Sequence, residues 1–477
     1  MKRARNLYAI LALLGLLAQA GLSGLVIVRE GSIDAYTFRS LDSKEYFALA
    51  YNLESAHTFS SQTGPPLTPD TWRTPGYPLI LAVGMALVGP HPTGLIVLQQ
   101  LLSVANVLLF FGIARTAMSE RRAMIAAGLF LLAPYRLYYS LWLLATTCFT
   151  TALLATWYCW QRARVSGGTL ATLITGLMLG ATVLIRPIAM VLPVVLIATA
   201  AIPRRQTDAA PTPHRKSQWT SALAMLAGCL VLLGGWSARN RAIAGHWGLS
   251  SQSGAVLAYF KAAEVELWRQ GRAADRYIET SLDPSNLDKP HTVWGDIDRN
   301  LHERLADLPQ KTLSTLTWRN LAQGNRGDCD PFVVSSALST IAWQMLWQAP
   351  LATAAVCLER CAMILTFPAH LVFDREATTS RRLLHGAIGI LYTMLLLTAI
   401  IRLFRRRICW TDVLFPLAAL LCLLIATTPQ LDPRFRVPML PFLLFVSFLP
   451  MPLRGTKTEN RETNRRDIDP DALPDGA

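Results

Sequence analysis

Two residue types in this sequence have the character and spacing to do chemistry: a close pair of carboxylates and a dispersed set of arginines. Asp42 and Glu45 stand in Leu41-Asp42-Ser43-Lys44-Glu45-Tyr46, ahead of apolar residues at 46, 49, 50 and 53. That i, i+3, i+4, i+7 stripe predicts an amphipathic helix. Asp42 is then its expected N-cap, with Asp-x-x-Glu forming a capping box to Glu45. A carboxylate at a membrane surface also suits a general base acting on a hydroxyl, and the two roles can coexist. The arginines are Arg73, Arg186, Arg239, Arg241, Arg434 and Arg436. Snorkelling at a membrane interface would explain such residues. A guanidinium also grips phosphate oxygens bidentately and keeps its charge, so phosphate is the anion they would suit.

The elements that must position these groups follow from composition. Of 477 residues, 52% are hydrophobic and 16% charged, and the mean hydropathy is +0.33. Soluble domains carry about 25% charged residues, so this chain lacks the polar groups to cover a water-facing surface. Lys and Arg outnumber Asp and Glu by 45 to 31, a formal charge of +14. A nucleic-acid binder could share that charge but not that hydrophobicity. Disorder, a collagen-like chain and a disulfide-stapled secreted domain are excluded by the same figures. The eight cysteines show no CxxC and no Cys/His metal spacing. Composition thus reads as an all-α polytopic membrane bundle.

Apolar runs predict spans at about 7–28, 93–114, 123–138, 141–160, 169–185, 187–202, 219–236, 383–401, 411–428 and 437–453. Five short segments, 1–6, 115–122, 161–168, 203–218 and 402–410, hold sixteen Lys/Arg against two acids, Glu120 and Asp208. The positive-inside rule puts all five on the cytoplasmic side. That holds if neither 79–88 nor 351–373 crosses. The first is half a span between Pro78 and Pro90, and the second carries Glu359-Arg360 at its centre, where lipid burial is costly. Both become juxtamembrane helices on the outer face. Ten spans result, with both termini cytoplasmic, in a cell (inner) membrane.

The chain divides accordingly. Residues 1–236 form an N-terminal membrane module with its first outer loop at 29–92. Residues 237–373 form an extracytoplasmic and juxtamembrane region with amphipathic helices near 255–271 and 297–321. Residues 374–453 are C-terminal membrane helices, and 454–477 a disordered cytoplasmic tail. Apart from Glu359-Arg360, no charge sits in the middle of an expected span, which weakens transport and places the polar signal at the outer boundary. The arginine set falls on that side, where the charge rule predicts few. The stretch Gly248–Gly254 reads as a flexible linker or as a cradle of backbone N–H groups for phosphate. Tyr135, Tyr138, Tyr139 and Trp142 read as an interfacial aromatic belt, or as a packing surface for a sugar or isoprenoid.

Taken in order, Asp42…Glu45-Tyr46…Ala50…Leu53, Arg73-Thr74-Pro75-Gly76-Tyr77-Pro78, Leu184-Ile185-Arg186-Pro187, Trp236-Ser237-Ala238-Arg239-Asn240-Arg241 and Arg434-Phe435-Arg436-Val437-Pro438 resemble the C-type (GT-C) integral-membrane glycosyltransferases. The nearest branch is that of the bacterial relatives of protein O-mannosyltransferases and lipid A aminoarabinose transferases, and the likeness runs from about residue 1 to 450. The resemblance implies transfer of a sugar, with inversion, from a polyprenyl-phosphate-linked donor to a lipid, glycan or protein acceptor at the outer membrane face. It implies Asp42 as the base, and Arg73, Arg434 and Arg436, then Arg186 and Arg239, as holders of the departing phosphate. One departure stands out. Relatives often carry a second acid after the third span, where this chain reads Tyr139-Ser140-Leu141-Trp142-Leu143-Leu144-Ala145-Thr146 with none. Glu45 compensates, or the chemistry is unusual, or activity is lost. Few outer carboxylates converge on Asp42, so no metal ligand set is expected and a divalent metal lacks support. The expected partners are the lipid-linked donor, the acceptor and the bilayer, with no nucleic acid. Two other classes compete: a polysaccharide polymerase or ligase of another membrane fold, and a lipid-linked sugar flippase without covalent chemistry.

Overall fold

A computed structural model describes residues 2–38, 40–201, 218–272, 292–322, 329–366, 379–404, 410–428 and 433–450. Among them every regular element is a helix. In chain order the principal ones are α1 (Lys2–Glu30), α2 (Leu41–Ala56), α3 (Gly76–Val88), α4 (Pro92–Ala114), α5 (Glu120–Leu131), α6 (Thr146–Ser166), α7 (Thr169–Ile185), α8 (Val191–Ala201) and α9 (Gln218–Ala244). A helical insertion follows, with α10 (Val293–Arg304), α11 (Pro331–Gln348) and α12 (Pro350–Leu365), and the chain closes with α13 (Thr379–Phe404), α14 (Trp410–Thr427) and α15 (Arg436–Phe448). The expected tail at 454–477 lies outside the described residues.

Among the described residues, four helices are long and apolar enough to cross a membrane: Arg5–Glu30, Pro92–Ala114, Trp219–Ala244 and Arg382–Phe404. Shorter apolar helices occur at Gly76–Val88, Thr169–Ile185, Pro187–Ala201, Val413–Thr427 and Arg436–Phe448. Large apolar side chains such as Leu17, Val194, Leu223 and Leu383 stay exposed around the bundle. A water-soluble surface does not tolerate so much exposed apolar area, and lipid contact requires it. The protein is an all-α polytopic membrane protein.

One expectation needs correction. The span drawn at 123–138 is broken. Helix α5 stops at Leu131 and a short helix restarts at Pro134–Tyr139, because Pro134 lacks the N–H needed to continue the ladder. Arg136, buried in that second piece, donates to the carbonyls of Phe130 (2.9 Å) and Leu131 at the end of α5 and to that of Ser103 in α4 (3.1 Å). The pair Glu359-Arg360, expected to be costly in lipid, divides: Glu359 is 45% exposed, and Arg360 turns into the protein. Arg360 and Glu264 are 7% and 4% exposed and pair at 2.6 Å, so the charge is neutralised inside the protein. Helices α11 and α12 meet at Ala349-Pro350 with a bend of 97°, as Pro350 at the first helical position dictates.

Close helix contact is built on missing side chains. Helices α7 and α9 cross where a Cβ on Gly176 would lie 2.1 Å from the Met225 carbonyl oxygen and one on Gly228 2.4 Å from that of Leu173. This pair sets Arg186, just past α7, beside the end of α9 that carries Arg239. Trp157, Phe415, Phe442 and Phe445 stack at the centre of the bundle. The insertion has a second core around Tyr259, Trp294, Trp318 and Leu338, to which Trp72 of the loop before α3 also belongs. Within it, the helix beginning at Ser253 winds as a π-turn over Val256–Ala262 and ends with Ala263–Arg269. The amphipathic helix expected near 297–321 is divided into α10 and two short turns at Gln310–Leu313 and Trp318–Ala322.

Candidate active site

Helix α2 forms as the stripe predicted, burying Tyr46, Leu49 and Ala50. Its start differs from expectation. Ser40 is the N-cap, with no side-chain cap bond, and Asp42 lies inside the first turn. The capping box therefore does not form. Both carboxylates instead turn to guanidinium groups, where each bond joins two opposite charges rather than a carboxylate and a neutral backbone N–H.

Arg73 reaches them from the loop between α2 and α3. That loop is fixed in steps. Asn52 Nδ2 donates to the carbonyls of Ser60 and Gln62, both at 2.7 Å, folding the chain back on α2. Asp70 then makes an Asx turn: its Oδ1 accepts from Trp72 N at 2.6 Å and Arg73 N at 3.4 Å, and its Oδ2 from Ser61 at 2.7 Å. Beyond Pro75, Gly76 packs so tightly that a Cβ would lie 2.6 Å from backbone atoms of Leu184 and Ile185. The Arg73 and Arg186 motifs are thereby pressed together at one end of the bundle. Tyr77, fully buried, donates to Gln99 at 3.0 Å and meets Tyr46 edge to face.

Each nitrogen of the Arg73 guanidinium has an acceptor. Nε donates to Glu45 at 2.6 Å, and Nη2 lies 2.6 Å from Asp42 Oδ1 and 2.5 Å from Glu45 Oε2. Nη1 faces Gln252 Oε1 at 3.2 Å and the Tyr46 hydroxyl at 3.5 Å, with the Tyr46 ring under the cation. The second oxygen of Asp42 accepts from Arg434 Nη1 at 2.9 Å. Burial alone would push the Asp42 carboxyl up, but Arg73 and then Arg434 outweigh it and hold the group well below the usual carboxylate range. Burial would likewise lower Arg73, yet Glu45 and Asp42 raise it well above the ordinary arginine value.

The remaining expected residues take other places. Arg186 lies over the rings of Phe435 (4.9 Å) and Phe149 (5.8 Å), which joins it to the Arg434 turn. Arg239 stacks on Trp236 at 4.6 Å and donates to the Asp70 carbonyl at 2.5 Å, supporting the Arg73 turn from behind. Arg436, 2% exposed, donates to the Met363 carbonyl and packs over Tyr392 (5.2 Å) and Tyr135 (5.8 Å). Among the described residues, then, Asp42, Glu45, Arg73 and Arg434 meet directly, Arg186 adjoins them, and Arg239 acts on their support. The Gly248–Gly254 stretch is neither linker nor phosphate cradle. Its polar groups pair within the protein: Ser251 N donates to Thr71 O at 2.9 Å, Gly254 N to Ser335 Oγ at 3.0 Å, and Gly248 O accepts from Asn240 at 2.8 Å. Tyr138, Tyr139 and Trp142 form one aromatic cluster, and the Tyr135 hydroxyl meets His385 Nδ1 at 3.1 Å. No group of three or more His, Cys, Asp or Glu able to hold a metal occurs among the described residues.

Three contributors lay outside the sequence expectation: Gln252, Asp70 and the ring of Tyr46. Asp70 was signalled by its place two residues before Trp72, the spacing of an Asx turn. Tyr46 had been read as part of the apolar stripe and of the Glu45-Tyr46 motif, with no role for its ring. Gln252 carried no local signal.

Residues 72–233 match the sequence profile of the dolichyl-phosphate-mannose-protein mannosyltransferase family. The matched segment opens on Trp72 beside Arg73 and contains the Arg186 motif. Among solved structures, the chain is similar to the archaeal oligosaccharyltransferase AglB from Archaeoglobus fulgidus, determined in complex with an inhibitory peptide and a dolichol-phosphate. The identity is 15% and the TM-score 0.44, over 93% of this chain and 49% of that one. This chain thus spans about half the length of that protein. A comparison with curated proteins gives no match.

Proposed function

We propose that this chain is a GT-C type membrane glycosyltransferase that transfers a sugar from a polyprenyl-phosphate donor to a hydroxyl acceptor at the outer face of the cell membrane, with inversion at the anomeric carbon, a reading supported by the family match over residues 72–233. The observation that carries this reading is Asp42 bridged between Arg73 and Arg434, an ionised carboxylate and a guanidinium at one point near the end of an apolar bundle. In the proposed step, the acceptor oxygen attacks the anomeric carbon as the bond from that carbon to the phosphate oxygen breaks. The polyprenyl phosphate leaves with the bonding pair, and the acceptor proton passes to Asp42.

The electrostatics suit such a reaction. Phosphate leaves without needing a proton, so one carboxylate suffices where a glycosidase uses two. A carboxyl held well below its usual range is a weak base, but it stays ionised at any physiological pH. The attacking hydroxyl becomes acidic as its bond to the sugar forms, so a weak base placed in contact is enough. Arg434, 2.9 Å from Asp42, would hold the phosphate so that the sugar carbon falls within reach of the base. Arg186, next to it through Phe435, would add a second positive charge for the leaving group. Arg73, with acceptors at every nitrogen, serves as the partner that orients Asp42 and Glu45.

Replacing the base tests the reading. Asp42→Asn in membranes should abolish transfer of radiolabelled mannose from polyprenyl-phosphate mannose, with expression and thermal unfolding close to those of the unaltered chain. Full activity in that variant would overturn the assignment.

A further inference from the structure

We infer that Gln252 is a positioning residue for this site: through its side chain, the helical insertion that follows α9 sets the orientation of Arg73 and hence of the Asp42 carboxylate. The inference rests on the role proposed above for Asp42. Its observations come from the contact between residues 70–73 and 250–252, which are about 180 positions apart in the chain.

That contact is polar and apolar at once. Ser251 N donates to the Thr71 carbonyl at 2.9 Å, the hydroxyls of Thr71 and Ser251 meet at 3.3 Å, and the Ser250 hydroxyl donates to the Trp72 carbonyl. The Trp72 side chain, 7% exposed, is packed in the core of the insertion with Tyr259 and Trp294, away from the membrane bundle's core. Two neighbouring residues are therefore divided between two bodies. Trp72 anchors in the insertion, whereas Arg73 points back to Asp42 and Glu45 on α2. Gln252 completes the join by accepting from Arg73 Nη1 at 3.2 Å, and its own backbone N–H is fixed to Ser250 Oγ at 3.1 Å.

The planarity of guanidinium gives this bond its consequence. Nε and Nη2 form the edge that faces the two carboxylates, and Nη1 is the opposite corner of the same rigid plane. Holding Nη1 fixes the direction of the edge that faces Asp42. The acceptor is a neutral amide oxygen. A carboxylate there would be the third on one cation and would weaken its hold on Asp42, whereas glutamine fixes the plane without adding charge. The other contact of Nη1, the Tyr46 hydroxyl at 3.5 Å, is at the limit of a hydrogen bond and lies on α2 itself. Among the contacts given to Nη1, Gln252 is the one that comes from the insertion. The insertion thus supports the reacting carboxylate.

The test uses the full chain in nanodiscs, with Gln252→Ala and Gln252→Glu beside the unaltered protein. Phenylglyoxal modification of individual arginines, followed by peptide mass spectrometry, reads the hold on Arg73 without any substrate. Transfer from polyprenyl-phosphate mannose gives kcat and donor KM. In Gln252→Ala, Arg73 should be modified about tenfold faster with Arg239 unchanged, and kcat should fall about tenfold with donor KM within twofold. In Gln252→Glu, the modification rate of Arg73 should stay near that of the unaltered chain while kcat remains low, separating geometry from charge. The inference is overturned if Arg73 in Gln252→Ala reacts at the original rate. It is also overturned if Arg73 and Arg239 both react faster and the unfolding temperature drops, since the two loops would then simply have come apart. If the unaltered chain transfers no mannose, the transfer reading fails for that donor, and the modification rates still decide the role of Gln252.

Discussion

Arg434 meets Asp42 across 392 residues of sequence, its Nη1 2.9 Å from Oδ2, while Arg73 holds Oδ1 of the same carboxylate at 2.6 Å. The two guanidiniums have different partners. Arg73 also binds Glu45, Tyr46 and Gln252, whereas Arg434 comes from the turn that opens α15 and lies over the Phe435 ring that Arg186 also covers. Different losses should follow from their removal. Arg434→Ala should raise the donor KM strongly and lower kcat/KM by about a hundredfold, the scale on which a charge-assisted transition-state contact is lost. Steady-state kinetics against the lipid-linked donor would show it; an unchanged donor KM would exclude Arg434 as the phosphate contact.

Arg73→Lys keeps the charge but not the fork. An ammonium cannot hold Asp42, Glu45 and Gln252 along fixed directions at once. The expected result is a fall in kcat of at least tenfold with donor KM little changed. Equal loss in both constants would instead make Arg73 a direct ligand of the donor.

Much of the fold was legible because it depends on local rules. The period of apolar residues placed α2, and apolar length placed the helices at Pro92–Ala114 and Thr169–Ile185 within a residue or two. The break before Pro134 was legible too, since proline restricts the residue ahead of it, but the apolar run masked it. The site was legible as a list of residue types and not as a geometry. Nothing local to Asp42 announces Arg434 or Arg73. The local reading, a capping box, failed because distant charges won the two carboxylates. Arg239 and Arg436 were legible as arginines but not as donors to the Asp70 and Met363 carbonyls, which tertiary packing alone supplies.

Asp298 gives a pH-dependent prediction outside the site. It accepts from the Tyr259 hydroxyl at 2.5 Å and from Trp318 N at 3.0 Å, tying the insertion together. Burial outweighs these bonds and the nearby His302, and its carboxyl is pushed up to about 6. Because the folded value lies above the unfolded one, the native state binds the extra proton between about pH 4 and 6, and stability falls as pH rises through that window. Asp298→Asn keeps an acceptor for Trp318 and should remove this slope. Unfolding temperature measured from pH 4 to 8 should decline in the unaltered chain by the equivalent of at most about 3 kcal/mol and stay flatter in the variant.

Gly76→Ala tests how the Arg73 and Arg186 motifs are pressed together. The added carbon would lie 2.6 Å from the Leu184 carbonyl carbon and Ile185 nitrogen, and backbone atoms cannot turn aside as a side chain can. Overpacking of this kind costs about 1–3 kcal/mol. The variant should therefore lose thermal stability and transfer activity together. By contrast, Gly128→Ala, in α5, meets nothing within 4 Å of the new carbon and should be neutral or slightly stabilising.

The buried pair Glu264–Arg360 separates two meanings of a charge inside an apolar helix. The carboxylate and guanidinium are 4% and 7% exposed and meet at 2.6 Å, joining the helix Ala263–Arg269 of the insertion to α12. Arg360→Met takes the nearest cation from the buried carboxylate and should cost about 3–5 kcal/mol, whereas Glu264→Leu should cost less, because Glu359 lies 3.7 Å from Arg360. Replacing both, Glu264→Leu with Arg360→Met, exchanges the pair for apolar contacts of similar volume and should return stability to within about 1–2 kcal/mol of the original. The measurement is a double-mutant cycle on thermal or denaturant unfolding in a fixed detergent. Strict additivity of the two losses would show that the pair does not interact. Recovery in the double variant would show that Arg360 tolerates its place in α12 through Glu264, so that a charge in the centre of an apolar run is no argument by itself about where that run lies.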